Sequence, residues 1–155
     1  MPKEIMRRKA ADNEYLHKDF HLALNAAIEY LHKRQGAEAV REYLRQFALA
    51  FYSPLMARIK RSGLKALEDH FKRIYKIEKG AIRIRRTRDD LILEVDACPA
   101  VAHMHAKKCK PTRLFYETSR TIHAALCEGS PFDFEWVSYD PKTGRSVQRF
   151  YRRSV

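Results

Sequence analysis

Cysteine is scarce in this chain of 155 residues: Cys98, Cys109 and Cys127 are too few, and odd in number, for a disulfide framework, and they suit a reducing compartment. Glycine and proline number only five and six, and no polar low-complexity tract occurs, which argues against collagen-like and disordered chains. No apolar run approaches the roughly 20 residues that span a bilayer. The stretch from Met1 to Lys9 also lacks the apolar segment of a secretory leader, so the expectation is a cytoplasmic protein without a membrane. Missing too are a Gly-Xaa-Gly-Xaa-Xaa-Gly or Walker loop, a His-Glu-Xaa-Xaa-His pair and a Gly-Xaa-Ser-Xaa-Gly elbow. No cofactor is expected. What the chain does have is 45% hydrophobic residues, enough for one domain over 1–155, with residues 1–12 read as a flexible arm.

Acidic side chains are outnumbered 19 to 31, for a net charge of +12. The excess is uneven: residues 57–88 carry 12 basic side chains against Glu68, Asp69 and Glu78. Such a stripe steers anions or forms a solvated surface; nucleic acid is the less favoured partner, because no zinc-finger, helix-turn-helix or RNP-type motif accompanies it.

The first half reads helical. From Asn13 to Lys33 apolar residues recur at three and four with Gly36 beyond, and Val40 to Phe51 continues the period up to Ser53-Pro54. Ser53-Pro54 opens a third helix that runs to Gly63, and a fourth ends before Lys79-Gly80. The period then changes to two. Residues 81–85 and 91–96 form a predicted hairpin whose register sets Arg83 opposite Glu94, Ile82 opposite Val95 and Ile84 opposite Leu93. Pro111-Thr112 begins another helix that Gly129 closes, and a second hairpin turns at Asp140-Pro141-Lys142-Thr143-Gly144. Its register sets Tyr139 opposite Arg145, Val137 opposite Val147 and Glu135 opposite Arg149, and puts Phe132, Phe134, Trp136 and Phe150 on an inner face. The predicted fold is α+β: N-terminal helices, then a ββαββ unit forming a four-stranded antiparallel sheet covered by helices.

The segment richest in chemistry follows the second strand. Pro99 biases Cys98 toward extended backbone at a strand end, where reactive groups often sit. A thiol there needs a base; His103 fits that role, and Glu117 would orient its ring, which together make the three parts of a covalent hydrolase. This reading expects a Cys98 thiol more acidic than that of Cys109. The plainer alternative makes Cys98 a small buried hydrophobe. Cys98, His103, His105 and Cys109 all have donor atoms for a metal, but they lack the close pairing of a structural zinc site, and none is assigned as a ligand.

Cys98-Pro99 with His103, then Glu117, then a closing hairpin from Phe132 to Phe150 that contains Arg149-Phe150, resembles the L-2-amino-thiazoline-4-carboxylic acid hydrolase-like family over about Tyr15 to Arg152. That family is in turn distantly similar to 4-vinyl reductase type small-molecule-binding domains. The resemblance implies a ligand pocket between helices and sheet, and hydrolytic opening of a C–N bond in a small cyclic amidine bearing a carboxylate. On that basis Arg149 is the candidate to hold an anionic substrate, and His105, which is not part of the family pattern, is a second substrate-binding candidate. Three functions are therefore expected in order: a hydrolase of small anionic C–N compounds, a noncatalytic small-molecule-binding or accessory protein, and a nucleic-acid binder through residues 57–88. A homo-oligomer or a partner protein is compatible with each.

Overall fold

The computed structural model describes residues 18–155. The expected arm over 1–12 and the start of the predicted first helix lie outside them. Within them run α1 (Phe20–Gln35), α2 (Ala37–Phe51), α3 (Ser53–Ser62), α4 (Leu64–Glu78), β1 (Ile82–Arg86), β2 (Asp90–Val95), α5 (Pro99–Ala106), α6 (Glu117–Leu126), β3 (Phe132–Tyr139) and β4 (Ser146–Arg152). The breaks fall where the chemistry requires. Gly36 and Gly63 end α1 and α3 with positive φ, and Pro54 sits in the first turn of α3, where its missing N–H costs nothing.

The strands form one antiparallel sheet in the order β1-β2-β4-β3. Its inner face carries Leu91, Leu93 and Val95 from β2 and Phe150 from β4, all buried, with Phe132 and Phe134 from β3 beside them. Helix α4 packs on β1 and β2, α6 packs on β3, and α2 covers α6, so Leu44, Leu67, Ile122 and Leu126 complete the core. The fold class is the expected α+β, but the sheet's two hairpins are joined by two helices rather than one. Pro99–Ala106 is helical, and the helix expected from Pro111 begins only at Glu117 after a series of turns.

The first hairpin has the predicted register throughout. The second departs from it. Phe134 to Trp136 pair as expected with Phe150 to Gln148, but a bulge at Val137 shifts the ladder, so Ser138 meets Val147 and Tyr139 meets Ser146. Val137 is left unpaired and 58% exposed. The extra residue turns Tyr139 back to the inner face beside Trp136, their rings 5.0 Å apart, which is the re-aiming that a bulge produces.

Two histidines are packed into this core. His123 of α6 lies edge-on to Phe71 at 5.2 Å and to Phe134 at 5.1 Å, with its Nδ1 enclosed and without a hydrogen-bond partner among the described residues. Burial pushes it down to about 3, His70 adds to the effect, and Gln148 opposes it. Burial likewise pushes His70 to about 4, with Arg73 and Arg58 adding to it. The unfolded chain, at about 6.5, binds protons that the folded chain refuses, so stability falls as pH drops from about 6.5 toward 4. Each histidine contributes up to about 1.4 kcal/mol per pH unit. His21 and Glu78, 2.7 Å apart, nearly cancel in this window, because burial holds His21 down at about 4 and Glu78 up at about 7. Urea midpoints should therefore fall steadily from pH 7 to pH 5, and His123→Phe should flatten the slope. An unchanged slope in that variant contradicts the assignment.

Candidate functional site

Cys98 sits where β2 gives way to α5. Its backbone is extended (φ −70°, ψ 122°) and it caps the helix, with Pro99 in the first turn. The Cys98 N–H donates to the carbonyl of Thr143 at 3.1 Å, which ties the tip of the second hairpin to this junction. Gly144 is required there: a Cβ on it would stand 2.2 Å from the Cys98 Cβ, at a φ of +71°. Burial pushes the thiol above its usual range and outweighs the Val101 and Ala100 N–H groups at the start of α5, which favour thiolate although they make no side-chain hydrogen bond with the cap. That direction is opposite to the one expected of an acidified nucleophile.

In front of the sulfur lies a chamber of about 20 Å³, walled by Tyr75, Tyr116, Ser119, Trp136, Tyr139, Ser146 and Gln148 among others. Two of its polar atoms, the Trp136 indole N–H and the Gln148 Oε1, are buried and have no hydrogen-bond partner among the described residues. The other end of the Gln148 amide donates to Ser146 Oγ at 3.0 Å, which fixes the carboxamide. Buried polar groups are normally paired; Gln148 also acts on the His123 imidazole, so the Trp136 N–H is the group on this wall left for a partner beyond the described residues. The phenols stay neutral: burial, followed by the nearby Cys98, pushes Tyr75 up and Tyr139 up to about 12. No imidazole, carboxylate or amine is among the residues that wall the chamber.

Phe115, Tyr116 and Tyr139 also wall a larger outer crevice of about 950 Å³. Its rim brings together His105, Lys110, Arg113 and Lys142 against the single carboxylate of Glu29. Lys110, Arg113 and Lys142 form no ion pair among the described residues, so the mouth of the crevice is cationic.

The remaining sequence-selected residues point elsewhere. Because Pro99–Ala106 is helical, His103 leaves α5 on a different side from the Cys98 sulfur. Its Nε2 meets Asp19 Oδ1 at 3.0 Å, and it walls a separate cavity of about 400 Å³ with Lys18 and Glu78. Glu117 does not orient it. That carboxylate is fully buried against α2, accepting from Arg41 Nε at 3.0 Å and Thr121 Oγ1 at 2.7 Å. Arg149 lies on the outer face of the sheet, since its neighbours Gln148 and Phe150 point inward. Its guanidinium is held by Asp90 at 2.6 Å and Glu135 at 2.9 Å, over the Tyr151 ring. His105 alone of the expected substrate-binding pair reaches the crevice.

Cys109 is near Asn25, whose Nδ2 lies 3.7 Å from its sulfur, and among the described residues no group of three His, Cys, Asp or Glu side chains is arranged to hold a metal ion. No helix among them is long and apolar enough to cross a membrane. Sequence reasoning did not place Arg113 and Lys142 at this crevice. The signal was present in the basic run Lys107, Lys108, Lys110 and Arg113 after the Cys98 helix, and in the Pro141-Lys142 turn that the hairpin carries to the same place. Compared with known proteins, the chain matches no protein-family model and no curated protein.

Proposed function

We propose that this protein binds a small anionic molecule, with its charged group at Lys110, Arg113 and Lys142 and its uncharged end directed past Tyr116 and Tyr139 toward Cys98. The Trp136 N–H on the chamber wall, buried and without a partner among the described residues, carries the reading, because a ligand presenting an acceptor there satisfies it. Ligand entry widens the chamber by rotation of the two tyrosine rings it shares with the crevice. The resemblance to a family with a pocket between helices and sheet supports the same reading.

A C–N hydrolase is the second reading, favoured by the position of the Cys98 sulfur at the N-terminus of α5. With no imidazole on the chamber wall, the base would be the substrate: a cyclic amidine nitrogen takes the Cys98 proton, and the thiolate attacks the amidinium carbon. The C–N bond to the ring nitrogen then breaks, with that nitrogen leaving protonated as the amine end of the opened ring, and water displaces the sulfur and returns its proton to Cys98. The test is calorimetric titration with 2-amino-thiazoline-4-carboxylate and a panel of planar carboxylates and their neutral amides. Saturable binding of a carboxylate, weakened about tenfold or more by Arg113→Gln with Lys142→Gln, is the expected result. Equal affinity for carboxylate and amide, or no effect of the double change, contradicts it. Cys98→Ala separates the two readings, since binding survives in both but ring opening is lost only if the thiol is a nucleophile.

A further inference from the structure

A different face of the molecule, where α2 turns into α3, gathers aromatic rings and unpaired cations. Phe47 and Phe51 stack with centroids 5.3 Å apart and planes 11° apart, and Tyr52 stands edge-on to Phe51 at 4.9 Å. Phe51 is 54% exposed, so about half of this stacked ring is open to solvent. An isolated exposed ring is ordinary, but a stacked pair held by a third ring is a rigid platform.

Behind the platform, Tyr52 meets His70 at 5.7 Å, and the charges of Arg58 and Arg73 both reach that imidazole, with Arg73 also acting on Tyr52. Arg58 and Arg73 are exposed, as are Arg61 and Lys76 one turn further along the same helices. None of these four forms an ion pair among the described residues. Their neighbours do: Lys65 pairs with Asp69, and Lys72 and Arg86 both pair with Glu68. The acidic side chains of α4 thus neutralise one edge of the basic stripe and leave the edge beside the rings uncompensated.

We propose that this corner binds single-stranded nucleic acid, with a base packed on the exposed part of the Phe51 ring and the flanking phosphates held by Arg58, Arg61, Arg73 and Lys76. An open ring accepts any base, and guanidinium groups match phosphate oxygens in pairs. An acidic peptide would use the cations but leave the platform exposed, and a duplex hides its base faces in its own stack.

Fluorescence anisotropy with a labelled oligo-dT or oligo-U of about 20 nucleotides tests the proposal on the full chain. Three to four phosphate contacts give affinity that falls about 20- to 50-fold between 50 and 200 mM salt. Phe51→Ala should weaken binding about tenfold at an unchanged salt slope, and Arg58→Gln with Arg73→Gln should lower that slope by about 1.4. Both changes are on the surface, and the near-ultraviolet spectrum verifies that the fold is kept. No binding at 50 mM salt, indifference to Phe51→Ala, duplex binding at least as tight, or binding to phosphatidylserine vesicles without binding to the oligonucleotide each overturns it.

Discussion

Gly144→Ala should unfold the protein more readily by about 3 kcal/mol and lower its melting temperature by roughly 6 to 12 °C. Two costs add. The residue has a φ of +71°, which costs an alanine about 1 kcal/mol, and its new methyl would stand 2.2 Å from the Cys98 Cβ and 3.2 Å from both the Cys98 nitrogen and Val101 Cγ2. Neither neighbour is the free end of a flexible chain, so the hairpin tip must lift from α5, and with it the Thr143 carbonyl that holds the Cys98 N–H. Gly36→Ala is the control: its φ is +86° but nothing lies within 4 Å, so only the conformational cost remains. Equal losses in the two variants contradict the close packing of Gly144 on Cys98.

Arg41→Met should cost about 3 to 5 kcal/mol, because it leaves a fully buried carboxylate without its cation. Glu117 would retain Thr121 Oγ1 at 2.7 Å and Arg120 at 3.8 Å, and the latter is too long for a hydrogen bond. Arg41→Met combined with Glu117→Leu should recover most of the loss, since both polar partners are then removed and α2 packs on α6 through hydrocarbon. Urea unfolding of the single and double variants measures this. A small loss in Arg41→Met, or no recovery in the double, contradicts the pairing.

Much of the fold was legible because it depends on local pattern. The alternation in 81–96, with Arg83 facing Glu94, admits one register, and Pro54, Gly36 and Gly63 punctuate the helices as their chemistry demands. The errors arise where a distant residue decides. The bulge at Val137 shifts the ladder by one residue between Trp136 and Ser138, and no local pattern announces it. Cys98-Pro99 reads correctly as an extended residue before a proline, but the same proline starts a helix, and that helix turns His103 toward Asp19, 84 residues away. Glu117 finds Arg41, 76 residues away, for a similar reason. Arg149 was legible and misread: the pairing that puts Phe150 inside puts Arg149 outside, opposite Glu135.

The chamber can be observed directly, because Trp136, which supplies its unpaired N–H, is the only tryptophan. Tryptophan emission recorded during titration with a carboxylate that binds reports on that wall and on no other part of the molecule. The account predicts a saturable change in emission that follows the calorimetric binding curve and moves to about tenfold or more higher ligand concentration when Arg113→Gln and Lys142→Gln weaken binding. A ligand that binds by calorimetry while Trp136 emission stays constant would place the ligand elsewhere and contradict the account.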